Sequence, residues 1–179
     1  MCSNVTMARQ AEASTSAANF ERLYRQELPT LIAVATTMTG SRDLGADLAH
    51  EALTRAFRDW RTVGALDRPG AWVRRVLINL AIDAHRRQAR ETLAVSRLDP
   101  QPMTTATDVV GDGFWAAVRA LPERQRAAVA LYYIEDLSIA EIAEILGVVT
   151  GTVKTSLFMA RRSLAISLGA EEVLDDNDR

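Results

Sequence analysis

On a helix that advances about 100° per residue, Trp72, Arg75, Asn79, Asp83, Arg86 and Arg90 fall on one stripe. Those types in a row can handle unstacked nucleic acid. An indole stacks on a base, an amide bonds a base edge, and guanidiniums hold phosphates. Asp83 is spaced to pair with Arg86 or Arg87 and so to orient the cations. The opposite face, Val73, Val76, Leu77, Leu80 and Ala84, is apolar and predicts burial. The plainer alternative is a surface helix with a half-buried Trp72.

A second constellation occupies residues 138–157, SIAEIAEILGVVTGTVKTSL. Ser138 and Glu141 have capping-box spacing. Ile139, Ile142, Ala143 and Leu146 then form one apolar stripe. Gly147 can adopt the left-handed conformation that leaves a helix. A further helix follows, with Val153, Leu157, Ala160, Leu164 and Leu168 at helical spacing. Ala143 permits close approach and Val153 plugs the angle, the requirements of two helices crossing on a short turn. This is the pattern of a helix-turn-helix that reads duplex DNA; an ordinary helical hairpin in a core is the alternative. The outward face of the second helix carries Thr152, Lys154, Thr155, Ser156, Phe158, Met159 and Arg162.

The elements that must position these residues are all helices, and no persuasive strand pattern occurs, so the expected class is all-α. Residues 1–17 are small and polar and predict a disordered lead. Residues 18–90 form a first domain. Its first helix starts near Asn19, with Pro29 placed to bend it. Ser41 caps a second helix through Trp60, a loop spans 61–68, and Pro69 opens the long basic helix. Residues 91–112 lose periodicity and contain Pro100, Pro102 and Gly111, which predicts a flexible linker. The second domain, 113–170, begins with a short helix capped by Asp112, then a helix opened by Pro122, then the helix-turn-helix. Residues 171–179 are an acidic tail.

Of the 179 residues, 48% are hydrophobic, enough for packed cores. Net charge is −2, but its distribution is uneven. Residues 55–97 carry a net +6, residues 98–153 a net −5, and residues 154–168 a net +3. Two basic blocks around an acidic one predict two separate anionic contacts. Cys2 is the single cysteine, and His50 and His85 stand alone, so neither a disulfide within the chain nor zinc-ligand spacing is present. No nucleophile–base set, metal cluster or phosphate loop marks an enzyme, and no cofactor is implied. No apolar run reaches membrane-spanning length and no signal peptide is visible, which predicts a cytoplasmic location without membrane insertion.

Four segments together, DLAHEALTRAF (47–57), PGAWVRRVLINLAIDAHRR (69–87), ALPERQRAAVALYYIEDLSIAEIAEILGV (120–148) and GTVKTSLFMARRSL (151–164), resemble bacterial RNA polymerase sigma factors of the extracytoplasmic-function group. Their order and spacing agree along about residues 19–168. The resemblance implies a non-catalytic promoter-specificity subunit of RNA polymerase. Asp47, Glu51 and Arg55 match the family's surface for the clamp helices of the largest polymerase subunit. The stripe of 72–90, with Arg87, matches the segment that opens the minus-ten element. Asn79 stands where the family holds a flipped non-template base, and Trp72 lies in the melting segment. The linker would thread the polymerase cleft, its Asp99, Asp108 and Asp112 mimicking RNA charge. The helix-turn-helix would read the minus-35 element and lean on the polymerase flap. An anti-sigma factor or other regulatory protein is the further partner that the family implies.

The reading face departs from the family. Members usually carry Arg where this chain has Ser156, and often where it has Met159. Lost cations weaken phosphate grip and guanine readout. Val149 replaces a polar or Pro residue expected near the helix start, so capping should fall to Thr150 or Thr152. An altered minus-35 preference follows. Two other functions stay open at this point: a helix-turn-helix regulator acting without polymerase, and a sigma-like protein that binds a partner instead of DNA.

Overall fold

The computed structural model describes residues 2–96 and 113–169, with side chains from 15 to 91 and from 113 to 169. Eight helices and no strand occur among the described residues: α1 Cys2–Thr39, α2 Arg42–Arg58, α3 Trp60–Val63, α4 Pro69–Ser96, α5 Phe114–Ala120, α6 Glu123–Tyr133, α7 Ile139–Leu146 and α8 Thr150–Ser167.

Helix α1 corrects the expected lead, because the backbone is helical from Cys2. Residues 2–28 contain neither glycine nor proline, so nothing in them breaks a helix seeded further along. The Trp60 indole also donates to the Ser16 carbonyl at 2.9 Å, giving the segment a tertiary anchor. Pro29 lies inside α1 without ending it. Helix α2 starts as the sequence predicts, with the Ser41 hydroxyl accepting from the Leu44 N–H at 3.3 Å. The expected loop at 61–68 is helical at its start, where the single turn α3 takes in residues 61–63 and buries Val63.

Helices α1, α2 and α4 pack into the first unit. Leu31, Val34 and Met38 of α1 meet Ala49, Ala52, Leu53 and Ala56 of α2 and Val73, Leu77, Ile78 and Ala81 of α4, all buried. The small residues of α2 let α1 come close. A Cβ on Gly45 would sit 2.7 Å from Thr36 Oγ1 and 2.8 Å from its backbone nitrogen.

The second unit packs α5, α6 and α7 around α8. Helix α7 has the full capping box, with Ser138 and Glu141 exchanging both bonds. Gly147 ends it in the left-handed region at φ 65°, ψ 39°. The two helices of the motif meet at 104°, within the range expected of a helix-turn-helix. Val153 at 1% exposure plugs that angle as predicted.

Two cap assignments change. Helix α5 is preceded by Gly113 at φ 40° with no side-chain cap, and Asp112 lies outside the described residues. Helix α8 is preceded by Val149, again with no side-chain cap, so neither Thr150 nor Thr152 fills that role. Of the predicted linker, residues 91–96 continue α4 as helix. The remainder, with Asp99 and Asp108, and the tail 171–179 lie outside the described residues.

The two units pack against each other, through α4 on α7 and α1 on α5 and α6. This rotates the buried face of α4. Val73 and Leu77 are buried as predicted, but Ile78 and Ala81 join them, while Val76, Leu80 and Ala84 are only partly covered. The periodicity of a single helix cannot register a neighbour arriving on its flank.

Candidate nucleic-acid interface

Helix α4 presents Asn79, Asp83, Arg86, Arg87 and Arg90 as exposed residues, while Trp72 is half-buried against the core. The stripe therefore exists, with its aromatic end partly absorbed into packing. Asp83 is not the partner of Arg86. The Arg86 guanidinium instead grips Glu123 at the start of α6, 2.8 Å from Nη2 to Oε2 and 3.1 Å from Nε to both oxygens. That bond holds Arg86 above the ordinary arginine value.

Arg75 is also engaged. Its Nε donates to the Ile145 carbonyl at 3.0 Å, and Nη2 donates to the Glu144 carbonyl. Both acceptors sit at the C-terminal end of α7, where carbonyls lack helical partners and the helix dipole is negative. The cation that the sequence assigns to minus-ten DNA here caps a helix of the other unit.

On α8, Lys154, Thr155, Phe158, Met159 and Arg162 are exposed, and Phe158 keeps 58% of its surface open. Thr152 and Ser156 are half-buried, because they face α4. The Thr155 hydroxyl bonds back to the Gly151 carbonyl at 3.0 Å. A cavity of about 550 Å³ joins the two predicted DNA faces, lined by Arg75, Asn79, Asp83 and Arg86 from α4 and by Thr152 and Ser156 from α8. The structure brings these together; Trp72, Arg90, Phe158, Met159 and Arg162 are not on that cavity.

Asp47, Glu51 and Arg55 share the α2 face away from the core, with Glu51 and Arg55 paired at 2.8 Å. Phe57 on the same helix is 60% exposed and touches Phe20 at a ring separation of 4.9 Å.

Several residues that sequence reasoning missed lie in the seam between the units. Arg68 reaches Glu141 and Glu144 of α7, the latter at 3.2 Å. Arg74 bridges Glu27 at 2.7 Å and the buried Glu135. Burial opposes the charge on Arg74, but Glu135 and Glu27 outweigh it and hold the guanidinium above its usual value. Burial also raises Glu135, against the pull of Arg74. Arg126, 3% exposed, donates to the Met38 carbonyl at 2.7 Å and the Leu121 carbonyl at 3.0 Å, and lies 3.3 Å from His85 Nε2. The available signal was the opposite charge of the blocks 55–97 and 98–153, a net +6 against −5.

Glu141 carries an acid-sensitive element of the second unit. The Ser138 hydroxyl donates to it at 2.7 Å, the Ser138 N–H at 2.9 Å, and Arg68 adds a further bond. These bonds pull its carboxyl from 4.5 down to about 2. A carboxyl lowered on folding stabilises above its unfolded value and loses that contribution as pH falls through the folded one. Wild type should therefore lose stability between pH 4.5 and about 2 by a step that Glu141→Gln lacks, since glutamine keeps the capping box. Superimposable acid-unfolding curves for the two proteins, followed by circular dichroism, would refute this.

An arginine-bearing helix in one unit and a helix-turn-helix in the other define a DNA-binding protein of two helical units. Comparison with known families makes this specific. Residues 23–91 match Sigma-70 region 2, and residues 112–164 match Sigma-70, region 4. The RNA polymerase sigma-E factor of Streptomyces coelicolor is 30% identical over 156 residues, 86% of this chain and 88% of that protein. The ECF RNA polymerase sigma factor SigL of Mycobacterium tuberculosis is 32% identical over 175 residues, 90% of this chain and 96% of its own length. Two solved structures share the fold. Sigma factor RpoE of Bartonella quintana, solved with the anti-sigma factor NepR, has a TM-score of 0.68 at 24% identity, over 86% of this chain and 98% of that one. CnrH, solved with the cytosolic domain of CnrY, has a TM-score of 0.62 at 22% identity, over 89% and 96%. The chain belongs to the sigma-70 family, in its extracytoplasmic-function group, and is a promoter-recognising sigma subunit. No single helix among the described residues is long and apolar enough to cross a membrane.

Proposed function

We propose that this chain, in the cytoplasm and without a catalytic step of its own, directs core RNA polymerase to promoters through separate residues on three helices. Asp47, Glu51 and Arg55 on α2 dock on the clamp helices of the largest subunit, and the second unit leans on the flap. Helix α8 enters the major groove of the minus-35 element. Helix α4 then receives the opened minus-ten strand, with Asn79 bonding an extruded base, Arg75, Arg86, Arg87 and Arg90 holding phosphates, and Trp72 at the point of melting. The observation that carries this assignment is an exposed Asn79 flanked by arginines, directly across α4 from fully buried Leu77. A rigid back is what a base-capturing face needs. An anti-sigma factor is a fitting further partner, since a sigma factor of this fold has been solved with an anti-sigma factor bound.

Transcription in vitro with core polymerase, with and without this protein, tests the proposal. Initiation at discrete promoters should require the protein. Duplex binding without any polymerase-dependent initiation would instead support a stand-alone regulator.

Ser156 and Met159 leave the reading face short of cations, and exposed Phe158 and Met159 offer apolar contact suited to thymine methyls. Ser156→Arg is expected to raise minus-35 affinity severalfold and to steepen the dependence of log affinity on log salt by about one unit. A titration of holoenzyme on promoter DNA at several salt concentrations measures both. An unchanged slope would show that position 156 does not face phosphate.

A further inference from the structure

A groove of about 390 Å³ lies where α5 packs on α1 beside the start of α2. Its lining includes Pro29, Ile32 and Thr37 of α1, Arg42 of α2, and Trp115 and Arg119 of α5. None of these is assigned above to DNA or polymerase. Among the described residues no carboxylate lines the groove, and neither arginine has an ion-pair or hydrogen-bond partner. The Trp115 indole N–H also has no acceptor among them. Arginines elsewhere between the units do meet acids, Arg68 with Glu141, Arg74 with Glu135 and Arg86 with Glu123.

Both cations stand here at a cost. Arg42 is the first residue of α2, at the positive end of a helix dipole that favours anions. Arg119 suits the last turn of α5, yet its charge bears on Arg126, which is 3% exposed. Burial pushes the Arg126 guanidinium below the usual arginine value; Glu123 opposes the fall and Arg119 adds to it. An anion between Arg42 and Arg119 would relieve both penalties.

The rest of the lining suits a flat ring. Trp115 is half-buried, and Phe114 meets it edge-on at 5.0 Å and 75°, which braces the indole without lying flat on it. Indoles stack on nucleobases, and guanidiniums take phosphate oxygens in pairs. The volume falls within the range of small-ligand sites, about 300–1,000 Å³. We infer that this groove binds a nucleoside diphosphate, its base stacked on Trp115 and its phosphates held by Arg42 and Arg119. Such a ligand touches α2 of the first unit and α5 of the second at once. The site goes beyond the sigma assignment and uses none of its residues.

Titration calorimetry of the intact protein with ADP, and separately with pyrophosphate, tests this. Arg42→Ala and Arg119→Ala should each weaken both ligands by roughly tenfold or more. Trp115→Leu should weaken ADP by at least about fivefold and leave pyrophosphate unchanged, a split that a merely structural tryptophan would not give. Arg42 is exposed and Arg119 half-buried, so their truncation should spare the core, and circular-dichroism melting checks this. Arg58→Ala removes an exposed arginine at the far end of α2 and should bind as wild type does. The inference is overturned if wild type takes up neither ligand at millimolar concentration. It is equally overturned if Arg58→Ala weakens binding as much as Arg42→Ala, or if ADP binds no tighter than pyrophosphate. Polymerase-dependent transcription is scored separately: its failure in wild type would remove the sigma assignment and leave the measured binding intact.

Discussion

Asn79→Ala is expected to lower the yield of open promoter complex by roughly fivefold to tenfold while duplex binding by the holoenzyme changes little. One or two hydrogen bonds to a captured base are worth about 1 kcal/mol each net, and 1.4 kcal/mol is a factor of ten. Extruding that base costs a few kcal/mol, so its capture bears on melting and not on first encounter. Asn79 is exposed on α4, so its truncation should leave the fold alone. Permanganate footprinting of unpaired thymines, set beside gel-shift affinity for the closed complex, separates the two steps. Equal loss in both would refute base capture.

Leu77→Ala, two residues away, should produce a different failure. Leu77 is fully buried in the first core, between α1, α2 and the body of α4. Truncating a buried leucine removes its transfer energy and leaves a cavity, together about 2–5 kcal/mol. Domains of this size are stable by only about 5–15 kcal/mol. The first unit should therefore unfold at markedly lower urea, and polymerase binding, melting and stripe geometry should fall together. A urea midpoint within experimental error of wild type would show that α4 does not depend on this contact. The two substitutions distinguish the face proposed to capture a base from the face that holds it in place.

Much of the local structure was legible because it depends on neighbours in sequence. Ser138, Glu141 and Gly147 bracket α7 through bonds spanning a few residues, and they do so in the structure as their spacing predicts. Ser41 starts α2 and Pro69 starts α4 for the same reason. The misassigned features are of another kind. The lead forms helix because it lacks breakers and because Trp60, far along the chain, bonds Ser16. Arg86 takes Glu123 over Asp83 because a second unit brings a better-aligned carboxylate within reach. The buried side of α4 includes Ile78 and Ala81 because α4 is covered from two directions.

The candidate site divides along the same line. Residue type and helical phase placed Arg75, Asn79 and Arg86 on one stripe and Thr152, Thr155 and Met159 on another. Helical phase is intrinsic to a chain with a 3.6-residue repeat, so the sequence alone determined which side chains share a face. It could not determine what that face meets. Ion pairs such as Arg74–Glu135 and carbonyl bonds such as Arg75–Ile145 join residues some sixty to seventy positions apart. Their formation depends on how the two units settle against each other, a balance of charge attraction and desolvation that exists only in three dimensions. That tertiary choice turned the two faces proposed to bind DNA toward one another.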